Sequence, residues 1–343
     1  MKIQNTAAVF IIVAGSIAFL VIGKPLLIPF FLAVAIWYLI NAIYLLLTKL
    51  PFGNYIPEGL GLGLAATVIL GTLFLVGELL SQNFNAMIDA APEYKFNVEQ
   101  QLGRILALFG TSEIPDLNTI TKELNLSTLV TGALNGIRSM AQNSILILIY
   151  VIFLLLEQKF FYRKIEALRL SDERKGHLNI IFRKINEAAG SYIAIKTLAS
   201  VITAILSYIV LILVGVDFAM FWAFLIFLLN YIPTVGSIIA TAFPTLLTLV
   251  QFEGFAPFLI ILFSLLAIQL FVGSYMEPRM LGNTLNISPL VVILALALWG
   301  LLWGVVGMLL CVPFTITLII VLAQFPTTRP IAVFLSKNGD VGT

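Results

Sequence analysis

Long apolar runs dominate this chain, and they decide its solvent. Residues 6–23, 25–47, 60–80, 143–156, 191–214, 218–250, 256–273 and 290–323 are apolar with very few charges. A helix of about 18 or more such residues reaches across a hydrocarbon core of about 30 Å. Of the 343 residues, 60% are hydrophobic and 10% charged, and the mean hydropathy is +1.07. Globular domains in water carry roughly a quarter charged residues, so a soluble fold could not hide this much apolar surface. The expected class is all-α, a polytopic membrane helical bundle.

Several function classes drop out early. Cys311 is the single cysteine and His177 the single histidine, which removes internal disulfides, Cys/His zinc sites and a Cys–His nucleophile pair. No G-x-x-x-x-G-K-[ST], G-x-S-x-G or H-E-x-x-H occurs, so an ATP site would have to sit on another chain and the usual hydrolase residues are missing. No enzyme activity, cofactor or metal is expected. Cys311 reads as helix packing and His177 as a solvated residue. Residues 6–22 are followed by "GKPLLIP" and another apolar run rather than an A-x-A-like site, so they read as a retained span and not a signal peptide.

Charge sets the orientation. The insert 81–142 carries Asp89, Glu93, Glu99, Glu113, Asp116 and Glu123 against Lys95, Arg104, Lys122 and Arg138. The connector 157–190 is basic, with Lys159, Arg163, Lys164, Arg169, Arg174, Lys175, Arg183 and Lys184. Lysine and arginine near span ends mark the cytoplasmic side, which puts 157–190 inside, 81–142 outside and both termini inside. Within the insert, "FNVEQQLGRILALFG" and "NLSTLVTGALNGIRSMAQ" have amphipathic helical spacing, suited to a membrane surface or a neighbouring subunit. The basic connector suits acidic lipid headgroups; no nucleic acid is implied.

Two segments carry breaks. Residues 218–250 are too long for one span, with arms too short for two, and "NYIPTVGS" interrupts them. Residues 290–323 repeat the pattern around "LWGLLWGVVGM". Non-helical backbone at membrane depth is tolerated only where protein or a watery cavity covers it, and paired interrupted segments point to a transporter's binding site. With the orientation above, span 191–214 plus a hairpin, then span 256–273 plus a hairpin, form an inverted repeat. Kinks in long tilted helices are the alternative.

Beyond these patterns, "SYIAIKTLASVITA" (191–204), "LNYIPTVGSIIA" (229–240), "GSYMEPRMLGNTLNISPLVVILALALWGLLWGVVGMLLCVPFT" (273–315) and "IAVFLS" (331–336) resemble the autoinducer-2 exporter family, in its quorum-signal exporter branch. The resemblance is dense over 190–336 and mostly hydropathy over 1–189. It implies a bacterial inner-membrane transporter, export of the furanone signal autoinducer-2 or sodium (lithium)–proton antiport, a homo-oligomer (a pentamer in particular) and an elevator-like movement.

The expected organisation is a scaffold half, 1–190, a transport half, 191–325, and a cytoplasmic tail, 326–343. Candidate substrate-pathway residues are Tyr192, Lys196, Asn230, Tyr231, Pro233, Gly236, Ser237, Glu277, Pro278, Arg279 and Gly282. Lys196 is an ionisable group inside a span, costly unless it faces protein or water; near the cytoplasmic end it can also snorkel. Glu277 and Arg279 can neutralise each other, and Glu277 is the only carboxylate of the quoted motifs. Asp217 and Glu253, bracketing the first hairpin at the outer surface, read as solvated, and Glu78 as interfacial. Trp299, Gly300, Gly304, Gly307 and Pro313 belong to the second hairpin, the glycines as close-packing positions and the tryptophans as ring-stacking groups or interface anchors. A neutral polar solute calls for the amides, hydroxyls and free backbone of 230–237, whereas a cation antiporter calls for carboxylates that this chain scarcely has. A non-transporting membrane scaffold would need neither interrupted segment.

Overall fold

The computed structural model describes residues 2–49, 55–75, 77–78, 144–282 and 286–341. The two amphipathic helices expected in the 81–142 insert lie outside them. The described residues are helical and contain no strand. In chain order the helices are α1 (Lys2–Ile22), α2 (Lys24–Thr48), α3 (Glu58–Leu75), α4 (Ser144–Ala167), α5 (Asp172–Val214), α6 (Ala219–Leu229), α7 (Val235–Gln251), α8 (Ala256–Leu281), α9 (Pro289–Ala323) and α10 (Arg329–Leu335). Proline stands in the first turn of α2, α8, α9 and α10, where its fixed φ suits the helix and its missing N–H costs nothing. Six described helices, α2, α3, α4, α5, α8 and α9, are long and apolar enough to cross a membrane.

Two compact units emerge. One comprises Met1–Ile69, Ala141–Ala194 and Leu281–Thr343; the other comprises Leu70–Met140 and Ile195–Met280. In the first, α2 packs along α4 around Ala33, Ile40, Leu62, Ala65 and Val151. The Trp37 indole donates to Gln158 Oε1 at 2.7 Å and the Tyr38 hydroxyl to Asn186 Oδ1 at 2.8 Å. Gly190 lies against the Tyr38 ring, where an added Cβ would come within 3.1 Å. Gln158 and Asn186 therefore flank the middle of α2, not its end. The basic segment 157–190 is helical, formed by the C-terminal part of α4 and the N-terminal part of the 43-residue α5, separated by residues 168–171. Interhelical hydrogen bonds to α2 let these polar side chains lie beside a span, which hydropathy alone does not register.

In the second unit, Leu211, Val216, Ala219, Trp222, Ile226, Ala240, Ile261 and Leu265 form the core. Helix α5 ends at Gly215 (φ 83°), where Val216 N–H bonds Leu211 O at 2.9 Å and Gly215 N–H bonds Leu211 O and Ile212 O, closing the helix with a left-handed glycine.

Both interrupted segments are hairpins. Helices α6 and α7 pack on each other, and their feet are tied by one side chain. Gln251, the last residue of α7, donates from Nε2 to Gly215 O (2.8 Å) and accepts from Asp217 N–H at Oε1 (2.9 Å). The chain thus leaves at the level where it came in. The 11 residues of α6 reach about 16 Å, half of a bilayer core. Helix α9 turns back at Gly304 (φ 62°, ψ −142°). Trp299 and Phe314 would be about 22 Å apart along a straight helix, yet their ring centroids are 4.6 Å apart. Its foot is tied as well: Leu335 O, at the end of α10, accepts from Ser288 N–H at 3.1 Å, and Asn286 Oδ1 accepts from the N–H groups of Lys337 and Asn338.

Candidate functional site

The polar groups of the second unit collect on one lane. Lys196, Ser200, Thr203 and Ser207 recur at helical spacing on α5 and all are buried. Thr203 satisfies itself on Ala199 O. Opposite them stands the tip of the first hairpin. Asn230 caps α6 through its N–H to Ile226 O. Its side chain, 3% exposed, donates from Nδ2 to Ser200 Oγ at 3.2 Å and accepts from Gln269 Nε2 at 3.4 Å. The Tyr231 hydroxyl lies 2.6 Å from Thr197 Oγ1. Gln269 has room because Gly273 lacks a side chain; a Cβ there would fall 2.8 Å from Gln269 Nε2.

The lane carries one ion pair. Lys196 Nζ donates to both Glu277 oxygens, at 2.8 and 2.9 Å, with the two side chains 8% and 13% exposed. Each ion costs several kcal/mol to desolvate, and only close pairing offsets that. Lys196 therefore does not snorkel. Nor does Glu277 neutralise Arg279, which is exposed and lies with its guanidinium 3.8 Å over the Tyr275 ring. Glu277 follows a π-helical stretch, Leu270–Met276, a local widening often found at functional positions.

The tip itself is built under tight steric demands. A Cβ on Gly236 would sit 1.8 Å from Leu229 O, so only glycine lets α7 start this close to the end of α6. Thr234 holds φ 59°, an outlying conformation for a β-branched residue. Its carbonyl accepts from Ser237 Oγ at 2.9 Å, and Pro233 O accepts from Val235 N–H. Ser237 thus closes the turn rather than facing the lane.

Of the remaining expected residues, Tyr192 is buried four positions before Lys196 on α5. Pro278 and Gly282 are exposed at the end of α8, Gly282 ending the helix at φ 51°. In the second hairpin, Gly304 makes the turn, while Gly300 and Gly307 face the opposite arm. Trp303, 2% exposed, donates its indole N–H to Leu20 O at 3.0 Å and packs edge-on against Phe314, so it anchors the hairpin to α1. Pro313 is buried within the second arm. Sequence reasoning missed Thr197, Ser200, Thr203, Ser207 and Gln269. The recurrence of small hydroxyls every three or four residues in "KTLASVITAILS", and a lone amide in α8, were the available signals.

Residues 9–327 match the family described as AI-2E family transporter. Among relatives, "AI-2 transport protein TqsA" of Escherichia coli (strain K12) is 31% identical over 340 residues, covering 98% of this chain and 96% of that protein. A "Putative transport protein" of Haemophilus influenzae is 31% identical over 344 residues, covering 98% and 95%. The E. coli protein named "Putative transport protein YhhT" is 30% identical over 272 residues, covering 76% of each. With the match spanning nearly the whole chain, this protein belongs to the AI-2E family of transporters.

Proposed function

We propose that this chain is a secondary transporter of the bacterial inner membrane that exports a small polar signal of the autoinducer-2 type. The observation carrying this reading is the Asn230 cluster. An amide, hydroxyls and a second amide meet at a hairpin tip deep in an apolar unit. Buried polar groups persist where they are satisfied, and these satisfy one another with donors and acceptors of the kind that a neutral, hydroxyl-rich solute also offers. Net charge supports the same choice, since Glu277 is matched by Lys196. An uncompensated charged solute would meet the cost of burying an ion. The name of the E. coli relative, an AI-2 transport protein, agrees.

On this reading 1–190 is the scaffold half and 191–325 the transport half, with two span-plus-hairpin repeats of opposite orientation and both termini cytoplasmic. That division rests on the sequence pattern; by contacts, the second hairpin groups with the N-terminal helices. The remaining partners are membrane lipids and further copies of the chain, a pentamer by family resemblance. A sodium (lithium)–proton antiporter is the second reading, favoured by one observation, the buried carboxylate of Glu277. Reconstitution decides between them. Labelled autoinducer-2 should accumulate in proteoliposomes above empty vesicles, while a sodium-driven change of an internal pH dye should be absent. The reverse pair of results establishes the antiporter.

A further inference from the structure

Glu277 presents a carboxylate inside a transporter, and both of its oxygens are taken by a primary ammonium from the same chain. Further along the same lane lie oxygen donors of the kind hard cations take. The Thr197 and Ser200 hydroxyls are within one turn of Lys196 on α5, and Ser200 and Thr197 in turn touch Asn230 and Tyr231 at the hairpin tip. A lysine ammonium is a compact point charge, comparable in role to a monovalent metal ion but attached to the protein. We propose that Lys196 is a tethered occupant of a monovalent-cation site centred on the Glu277 carboxylate, so that transport by this chain needs no coupling cation. This deepens the transporter reading and rests on it for the statement about coupling; the statement about the site stands on the pair itself.

The charge logic is direct. Removing the ammonium leaves an unpaired buried carboxylate, the costly half of a broken pair, and a small cation can then enter to neutralise it. Removing both charges leaves nothing to neutralise.

The test uses purified full-length protein in detergent, as wild type, Lys196→Met and Lys196→Met/Glu277→Gln. Thermal unfolding is followed in NaCl, LiCl or KCl against choline chloride at equal ionic strength. Lys196→Met should gain about 2–4 °C in at least one of the small cations, as expected for a ligand at roughly ten times its Kd, while wild type and the double variant stay unchanged. No cation response in Lys196→Met, or an equal response in wild type, overturns the proposal. Should Lys196→Met fail to fold in choline, Lys196→Ser repeats the measurement with a polar side chain. A second arm measures wild-type uptake of labelled autoinducer-2 with sodium replaced by choline. Equal rates are expected, and uptake lost only in choline overturns the proposal. Uptake absent in both buffers counts against the transporter reading alone, since the thermal arm still decides the cation site.

Discussion

Asn230 shows how one side chain couples stability to transport. Replacing it with leucine keeps the bulk but strands Ser200 and Gln269, which now bond to it. Each stranded buried group costs about 1–3 kcal/mol. Asn230→Leu should therefore lower the thermal stability of the purified protein and weaken apparent solute affinity roughly tenfold to a hundredfold. Unchanged uptake kinetics would remove Asn230 from the pathway. The glycines of the second hairpin make a sharper pair. A Cβ on Gly307 would lie 1.9 Å from Trp299 O, a backbone atom, whereas one on Gly300 would meet the end of Met308 at 2.7 Å. Methionine can swing aside; a carbonyl cannot. Gly307→Ala should sharply reduce the yield of folded protein and Gly300→Ala only slightly, read by fluorescence-detected size exclusion, and equal yields would contradict the fold-back at Gly304. At this scale the sequence singled out Lys196, Glu277 and Asn230 as unusual for lipid. It did not pair them, because the residues that meet are separated by 30 to 81 positions and no local rule links them.

Between elements, what matters is where each hairpin begins and ends. Gln251 clasps both feet of the α6–α7 hairpin, while the tip lies about 16 Å away. Gln251→Leu removes two hydrogen bonds worth about 0.5–1.5 kcal/mol each. Melting temperature should fall modestly, and amide exchange at 215–218 and 251–254 should speed up, with apparent solute affinity unchanged. A loss of affinity equal to that of Asn230→Leu would mean that the foot, not the tip, belongs to the pathway. The breaks were legible because asparagine, proline and glycine interrupt an apolar run, and run length excluded two spans. The clasp was not, since a glutamine at the end of a hydrophobic segment reads as an interfacial residue. Helix α5 shows the same limit. Its N-terminal part is legible as a basic helical segment, whereas the bond by which Tyr38 holds Asn186 alongside α2 is not.

Across the whole molecule, orientation is the expectation most open to direct test. Single cysteines at Ser112 and Ser171, in a Cys311→Ser background, should differ with an impermeant thiol reagent on intact cells: Ser112→Cys labels and Ser171→Cys does not. The opposite pattern would invert the topology and remove the opposed-repeat reading. The sequence by itself determined the solvent, the helical class and the presence of two interrupted segments, because hydropathy, charge bias and helix breakers act through neighbouring residues. Its quoted motifs also pointed to the family that the full-length comparison shows. Only the tertiary structure decided that both segments fold back, that Lys196 belongs to Glu277 rather than to the interface, and that Arg279 turns to Tyr275. Those outcomes depend on desolvation. A buried charge takes the partner that packing brings within hydrogen-bonding distance, and packing between distant segments is not written in any local pattern.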